Sequence, residues 1–305
     1  MATLRPVVAM GTARALAAWE VDVVTPSKGK ATALRVDVCP TNTGEEPACI
    51  LFVLDSEPSL FGLAAVHAFA QAQPGYGSWA RAGAPPIAVV GIGLRPEDFD
   101  LSANGWDIDK LRNLRRAAFA PNFDDDPADS LPLAVVHAIA QDVVPEVEKR
   151  LGCDNAQPKP KRCVLGASFT ALTAMQCLFF HADVFDSVVA ASPSPYAAKQ
   201  PTRALEPPGG DDLVPIHDCE LFRIERATDG KYAKAQAVLV TVGGLEHERL
   251  HASAAELARV LRERGLAVEL RCLPGESHTS CKPAVVSNAF NWWQAHLTGV
   301  PVDWR

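Results

Sequence analysis

Apolar and polar residues alternate in two segments near the start of the chain. Trp19–Val24 and Leu34–Cys39 both follow this pattern, which is typical of a strand with one buried face. Lys28-Gly29-Lys30 lies between the two segments. The pattern therefore predicts an antiparallel hairpin.

From Cys49 onward, apolar segments alternate with segments of helical pattern. Continuous apolar character is typical of strands covered on both faces. The predicted strands are Cys49–Leu54, Pro86–Gly93, Cys163–Leu165, Ser187–Ala191, Ala237–Val242 and Val268–Leu273. Helices are predicted at about Leu60–Ala72, at Leu133–Leu151 with a kink at Pro145, and from Phe169 onward. A fourth helix would begin at a capping box, Ser253–Glu256, and end at Gly265. A last helix is predicted at about Pro283–Leu297.

This alternation predicts an α/β fold. We expect a mostly parallel central sheet, with the antiparallel hairpin at its N-terminal end and helices on both faces. Residues 94–131 have little periodicity and residues 192–215 are rich in proline and glycine, so we expect both to be loop or lid excursions at the active site. The chain has no internal repeat and no linker, and 1–305 is expected to form a single domain.

Composition and charge narrow the class of protein. The 305 residues are 48% hydrophobic, which is enough for a sizeable core, and the formal net charge of −7 argues against a nucleic-acid partner. No window approaches ~20 uncharged apolar residues, so we expect no membrane span. Because Arg14 closely follows the short apolar run Pro6–Met10, we expect no signal peptide and a cytoplasmic protein, with an organelle-targeting segment as the alternative.

The eight cysteines do not predict a metal site. None forms a C-x-x-C pair, and most lie in apolar runs. We therefore expect reduced thiols in the core, no disulfides and no structural zinc.

The segment around Ser168 carries the candidate nucleophile. A strand ends in Gly166-Ala167-Ser168 and passes directly into a helix. This is the nucleophile elbow G-x-S-x-G of α/β-hydrolases, with Thr170 in place of the last glycine. The first N–H groups of the helix, beginning with that of Phe169, would face a developing oxyanion. The other interpretation is a serine that only caps the helix, since Thr170 adds volume where helix and strand come close.

An acid and a histidine follow later strands, in the order Ser, acid, His that α/β-hydrolases show. Glu246 comes shortly after one strand, and His278 follows a Pro-Gly turn after the last strand. Because loops after parallel strands meet at one edge of a sheet, we expect both side chains to reach Ser168. The alternatives are Glu248 and Asp218 for the acid, and His247 and His251 for the base. The second oxyanion donor is expected at the backbone N–H of Ser56 or Glu57.

Six segments spread over most of the chain match motifs of one family. They are Leu51–Asp55, Val90–Gly93, Val143–Glu148, Ser192–Ser194, Gly243–Glu246 and Pro274–His278. With these segments the chain resembles the esterase-D-like, or putative-esterase, group of α/β-hydrolases. It is most similar to the branch that contains the enterochelin (trilactone siderophore) esterases.

Two departures from that family bear on the substrate. Arg115 and Arg116 are what remains of an Arg-x-Arg-Asp-x-Thr-Pro loop, and Pro195-Tyr196 stands where the family has Leu-Trp-Trp. The resemblance implies that Arg115, Arg116 and Tyr196 bind substrate, and arginines in that loop would suit an acidic or catecholate ester. The second arginine and the aspartate of the loop are alanine here, which leaves the natural substrate open.

The residues and the resemblance together predict a serine esterase. Ser168 attacks an ester carbonyl, His278 accepts and returns the proton, Glu246 orients His278, and water clears the acyl-enzyme without a cofactor or metal. The expected substrate is a siderophore-trilactone-like ester or another small ester. The alternatives are an acyltransferase on the same scaffold and a catalytically silent binding protein. Monomer and homodimer both remain open.

Overall fold

A computed structural model describes residues 17–25, 29–40, 46–54, 58–71, 83, 85–95, 108–120, 130–194 and 236–299. Within these ranges the strands are β1 (Ala17–Thr25), β2 (Gly29–Cys39), β3 (Cys49–Leu54), β4 (Ile87–Leu94), β5 (Lys161–Ala167), β6 (Ser187–Ala191), β7 (Ala237–Gly243) and β8 (Ala267–Leu273). The helices are α1 (Pro58–Gln71), α2 (Ile108–Phe119), α3 (Leu131–Ala138), α4 (Val144–Leu151), α5 (Phe169–Phe180), α6 (Glu248–Glu263) and α7 (Lys282–Thr298). None of these helices combines the length and apolar character that crossing a membrane requires.

The strands form one eight-stranded sheet in the order β1-β2-β4-β3-β5-β6-β7-β8. β1 pairs antiparallel with β2, and β2 pairs antiparallel with β4. Every neighbouring pair from β4 to β8 is parallel. The sheet confirms the predicted N-terminal hairpin and the mostly parallel α/β architecture. Among the described strands, β8 lies at the far edge and pairs with β7 alone.

Two core layers cover the sheet, one on each face. In β3, Phe52 and Leu54 enter the layer formed with helices α2 to α6, whereas Leu51 and Val53 enter the layer formed with α1 and α7. Successive side chains of a strand point to opposite faces. A strand that is covered on both sides must therefore be apolar at every position, as the sequence of β3 is.

The structure places a helix inside the segment for which the sequence indicated an excursion. α2 occupies Ile108–Phe119 within residues 94–131. The Thr173 hydroxyl of α5 donates to the Phe119 carbonyl at 2.9 Å, which attaches the end of α2 to the helix that follows Ser168. The three-residue spacing of Ile108, Leu111 and Leu114 is a helical signal within this segment.

Two further helices depart from the predicted bounds. The predicted kink near Pro145 is a π-helical turn, Ile139–Val143, in which the Val144 N–H bonds to the Ile139 carbonyl five residues back. This wider turn precedes the proline, which cannot continue a regular helix because it lacks an N–H. α6 begins at Glu248 rather than at the Ser253 capping box, and Ser253 is buried within the helix.

β5 and α5 come into backbone contact at Gly166. A Cβ built on Gly166 would lie 2.0 Å from the Thr170 carbonyl oxygen and 2.7 Å from the Ala171 nitrogen. Both atoms belong to the first turn of α5, so neither can move without disturbing the start of the helix. Gly166 therefore permits the direct turn from strand to helix at Ser168.

Gly166→Ala should destabilise the protein by about 3 kcal/mol or more, at or above the upper end of the usual cost of overpacking. The matched control is Gly62→Ala in α1, where a Cβ would meet no atom within 4 Å. That change should be neutral or stabilising by about 0.5–1 kcal/mol, since alanine favours a helix over glycine. Urea unfolding of both variants measures the difference. Similar midpoints would contradict the close contact.

Candidate active site

Four loops that follow parallel strands meet at the carboxyl edge of the sheet. They follow β5, β6, β7 and β8 and carry, in that order, Ser168, Ser192, Glu246 and His278. Open α/β sheets bind ligands at this edge. The candidate site therefore lies where the fold brings polar loop residues together.

Ser168 lies at a strained turn between β5 and α5. Its backbone has φ 60° and ψ −115°, a conformation that costs a non-glycine residue about 1–3 kcal/mol. The Ser168 N–H donates to the Ala191 carbonyl at 2.9 Å, which ties the turn to the end of β6. The Ser168 hydroxyl lies 3.0 Å from His278 Nε2. The turn thus directs the hydroxyl at the imidazole.

Thr170 stabilises the turn rather than crowding it. Its side chain is fully buried, at 0% exposed. Its hydroxyl accepts from the Ala167 N–H and donates to the Ala167 carbonyl, both at 2.9 Å. The close approach of helix and strand falls on Gly166 and the Thr170 main chain, so a side chain is accommodated at 170. The expectation that Thr170 adds volume at the contact is therefore wrong.

His278 lies between Ser168 and Glu246. Its Nδ1 is 3.4 Å from Glu246 Oε2, at the long end for a hydrogen bond. Because an ionised carboxylate only accepts, the proton of neutral His278 belongs on Nδ1, and Nε2 then accepts from the Ser168 hydroxyl. The imidazole is 35% exposed, whereas the Glu246 side chain is 0% exposed.

The surroundings of Glu246 keep it charged. Burial by itself raises the pKa of Glu246, but hydrogen bonds with His278, Ser192 and the Gly243 N–H outweigh it, and the pKa lies below its ordinary value. The Ser192 hydroxyl donates to Oε1 at 2.5 Å, and the Gly243 N–H donates to the same oxygen at 3.0 Å. Glu246 is therefore ionised at neutral pH and can stabilise a positive charge on His278.

The loops that carry Glu246 and His278 fit closely together. The Gly244 N–H donates to the Leu273 carbonyl at 2.7 Å, and the Leu245 N–H donates to the Glu276 carbonyl at 2.8 Å. A Cβ built on Gly243 would lie 2.5 Å from that same Glu276 carbonyl oxygen. Glycine at 243 therefore lets the two loops share main-chain hydrogen bonds, which fixes the acid relative to the histidine.

The rival candidates within the described residues lie at the start of α6. Glu248 is the first residue of α6 and is exposed. His247 is the N-cap of that helix, where Nδ1 accepts from the Arg249 N–H, and His251 lies one turn further on. Asp218 lies outside the described residues. The three side chains that the structure brings together are Ser168, His278 and Glu246.

The expected oxyanion donors are only partly within the described residues. Phe169 is the first residue of α5, so its N–H is among those that have no acceptor within the helix. The helix dipole adds a partial positive charge at that end. Ser56 and Glu57 lie outside the described residues, and their N–H groups remain a prediction.

A cavity of about 180 Å³ adjoins Ser168 and His278. The other described residues that line it are Leu60, Arg115, Ala167, Ser192, Thr279, Cys281, Lys282 and Val285. Arg115, predicted to bind substrate, is thus at the cavity. The guanidinium of Arg116 instead lies over the Phe169 ring, 5.9 Å from its centroid. Tyr196 lies outside the described residues.

Ser192, Cys281 and Lys282 lie at the site without having been predicted there. Ser192 directly follows the end of β6, the same signal that singled out Ser168 and Glu246. The Cys281 thiol donates to the His278 carbonyl at 3.5 Å. Burial, and secondarily the charge of Glu246, raises the pKa of that thiol, so it stays neutral. The position of Cys281, three residues after His278, was the signal in the sequence that could have placed it at the site.

The arrangement joins a hydroxyl, an imidazole and a buried carboxylate in series. Such a series can remove the proton of the hydroxyl as it attacks and stabilise the charge that forms on the imidazole. No group of three or more histidine, cysteine or acidic side chains within the described ranges is arranged to hold a metal ion.

A family model described as "Putative esterase" matches residues 33–301 of the chain. No curated protein matches the sequence.

Solved structures share the fold. Siderophore hydrolase EstB from Aspergillus nidulans is 18% identical with a TM-score of 0.64, over 98% of this chain and 99% of that one. Siderophore hydrolase EstA from the same organism is 17% identical with a TM-score of 0.62, over 92% and 94%. The enterobactin esterase FES from Shigella flexneri is 17% identical with a TM-score of 0.53, over 91% of this chain and 59% of that one. At these identities the likeness establishes the fold alone.

Thr170→Val should destabilise the protein by about 1–3 kcal/mol, because it removes the buried hydroxyl that serves both main-chain groups of Ala167. Thr170→Ser keeps the hydroxyl and loses one methyl group, at a cost of about 1 kcal/mol. Thermal unfolding monitored by circular dichroism compares the two. A larger loss for the serine variant would mean that packing, and not the hydroxyl, maintains the turn.

Proposed function

The chain belongs to the putative-esterase family and is a hydrolase of that class, and on this premise we propose that it cleaves a carboxylic ester through an acyl-enzyme on Ser168. The observation that carries the proposal is the series Ser168–His278–Glu246, with its 3.0 Å contact between hydroxyl and imidazole. It is supported by the strained turn at Ser168, since such strain persists where the surrounding structure holds it in place.

In the proposed reaction, His278 Nε2 accepts the Ser168 proton while Oγ attacks the ester carbonyl. Glu246, held ionised by its donors, stabilises the imidazolium. The Phe169 N–H, with a second N–H from Ser56 or Glu57, stabilises the tetrahedral oxyanion. His278 then protonates the leaving alkoxide, and a water activated by the same imidazole hydrolyses the acyl-enzyme.

The exposure of His278 favours hydrolysis over acyl transfer. The imidazole is 35% exposed, so water has access to the group that must activate it. A transferase on the same scaffold would instead need to exclude water from the acyl-enzyme. Turnover with and without added acceptor alcohols distinguishes the two.

The proposed substrate is an ester with a small or divided acyl part, such as one arm of a siderophore trilactone. The cavity of about 180 Å³ is smaller than the roughly 300–1,000 Å³ of sites that enclose a drug-sized ligand. Arg115 at the cavity favours an acidic or catecholate group, and Arg116 and Tyr196 remain proposed contacts. Acetyl to long-chain esters, feruloyl esters and siderophore trilactones form the panel that ranks these classes.

Ser168→Ala should abolish ester hydrolysis and leave the fold intact. Loss of a triad nucleophile lowers turnover by about a millionfold where the triad is well developed. Hydrolysis of p-nitrophenyl acetate and labelling by a fluorophosphonate measure the effect, and circular dichroism checks the fold. Activity retained within about tenfold in a preparation free of other esterases would refute the role of Ser168.

Glu246→Gln should lower turnover by about 10²–10⁴-fold, because an amide can no longer stabilise the charged imidazole and favours the wrong tautomer. Glu248→Gln is the matched control: the same chemical change two residues away, at an exposed position on α6. Its turnover should stay within about twofold of wild type. Equal losses, or a larger loss at Glu248, would assign the acid differently.

A further inference from the structure

Two serines in the described part of the chain have positive φ, and both directly follow neighbouring strands. Ser168 has φ 60° and Ser192 has φ 48°. Glycine adopts such a conformation without steric cost, whereas serine does not. The strained backbone at Ser168 directs its hydroxyl at His278. The strained backbone of Ser192, at the end of β6, is likewise expected to direct its hydroxyl at one partner.

The hydroxyl of Ser192 is bound to Glu246. Ser192 is 2% exposed, and its N–H donates to the Thr241 carbonyl of β7 at 2.7 Å. With the backbone fixed in this way, the hydroxyl donates to Glu246 Oε1 at 2.5 Å. This contact is much shorter than the 3.4 Å between Glu246 Oε2 and His278 Nδ1. Hydrogen bonds to ionised oxygens are short and strong.

The two oxygens of the Glu246 carboxylate have different partners. Ser192 and the Gly243 N–H both donate to Oε1, whereas Oε2 faces His278. With Oε1 held from two directions, the carboxylate cannot rotate away from the imidazole. Within the described residues, the titratable groups that interact with Glu246 are His278 and the neutral thiol of Cys281.

We propose that Ser192 is a positioning residue, which holds Glu246 ionised and turned toward His278. The inference rests on the proposed function, in which His278 is the base. It makes the site a series of four side chains from four consecutive strand ends. A merely structural hydroxyl would affect stability without changing the titration of Glu246.

Removing this hydroxyl acts on the acid in a known direction. The hydrogen bond favours the charged form of Glu246, so its loss raises the pKa of the carboxyl group. Neutral Glu246 cannot support the imidazolium. A carboxylate that is no longer held toward His278 supports the imidazolium less well, so kcat falls.

The test compares Ser192→Ala, Ser192→Gly and the control Ser194→Ala in the full chain, with p-nitrophenyl acetate as substrate. Ser194 is also buried and lies in the same turn, but its hydroxyl contacts the Ser192 carbonyl at 3.5 Å rather than Glu246. The first two variants should each lower kcat by about tenfold to a hundredfold, with KM within about twofold. Ser194→Ala should match wild type in both.

The glycine variant separates the hydroxyl from the backbone. It relieves the positive φ but also lacks the hydroxyl, so it should lose as much kcat as the alanine variant while remaining at least as stable. Full activity in Ser192→Gly would assign the effect of alanine to strain and overturn the proposal. Full activity in both variants would overturn it as well.

A double-mutant cycle tests whether the hydroxyl acts through the acid. In the Glu246→Gln background, Ser192→Ala should lower kcat by much less than it does in the wild-type background. Equal losses in the two backgrounds would mean that Ser192 acts independently of Glu246.

A titration of Glu246 that needs no substrate distinguishes failure of this proposal from failure of the proposed function. The side-chain carboxyl carbon, followed by ¹³C NMR, should titrate at higher pH in Ser192→Ala than in wild type and Ser194→Ala. Should wild type lack turnover, or Ser168→Ala retain it, the esterase proposal fails while this titration still decides whether Ser192 controls the acid. An unchanged titration would overturn the role of Ser192 in either case.

Discussion

The contact between the backbones of β5 and α5 at Gly166 is the constraint on which the turn at Ser168 depends. A Cβ there would lie 2.0 Å from the Thr170 carbonyl oxygen. Because glycine has no Cβ, the helix can start directly at the end of the strand. Two features then hold Ser168 in its costly conformation. The Thr170 hydroxyl serves both main-chain groups of Ala167, and the end of β6 accepts from the Ser168 N–H. Strain at one residue is thus balanced by bonds from its neighbours.

The part of the site formed by Glu246 and His278 depends instead on the charge of a buried carboxylate. Glu246 is removed from water yet surrounded by donors, and the balance favours the ionised form. The loop of Glu246 also shares main-chain hydrogen bonds with the loop of His278. Glu246 and His278 are therefore held by one pair of loops, whereas Ser168 is held by another element. The bond between Ser168 and His278 joins the two halves.

Much of this arrangement was predictable because its causes are local. Alternating and continuous apolar segments predict which strands have one or two covered faces, and residues directly after parallel strands lie at one edge. That reasoning, with the elbow motif and the chain order of the three residues, selected Ser168, Glu246 and His278 as side chains that should meet. The sequence left Glu248 open as the acid, whereas in the structure it is Glu246 that faces His278.

The remainder depends on the tertiary structure. The proposed role of Ser192 needs a φ of 48°. A hydrogen bond to β7 maintains this angle, and no local pattern in the sequence indicates it. The accommodation of Thr170 depends on which atom of the helix faces Gly166. The Ser253–Glu256 capping pattern failed because His247 already caps the helix and burial carries α6 past Ser253. The proposed oxyanion donors at Ser56 and Glu57, and the contact at Tyr196, lie outside the described residues and remain predictions.

The position of β8 has a consequence for how the protein loses activity on heating. β8 is one of the two edge strands of the described sheet, held on one side by β7, and several of its side chains are exposed. Edge elements open with less free energy than the core, in cooperative local units. His278 follows this edge strand, while Ser168 follows an interior one. In the proposed mechanism, fraying of the edge would separate His278 from Ser168 in an otherwise folded molecule, so inactivation can precede global melting and be reversed on cooling.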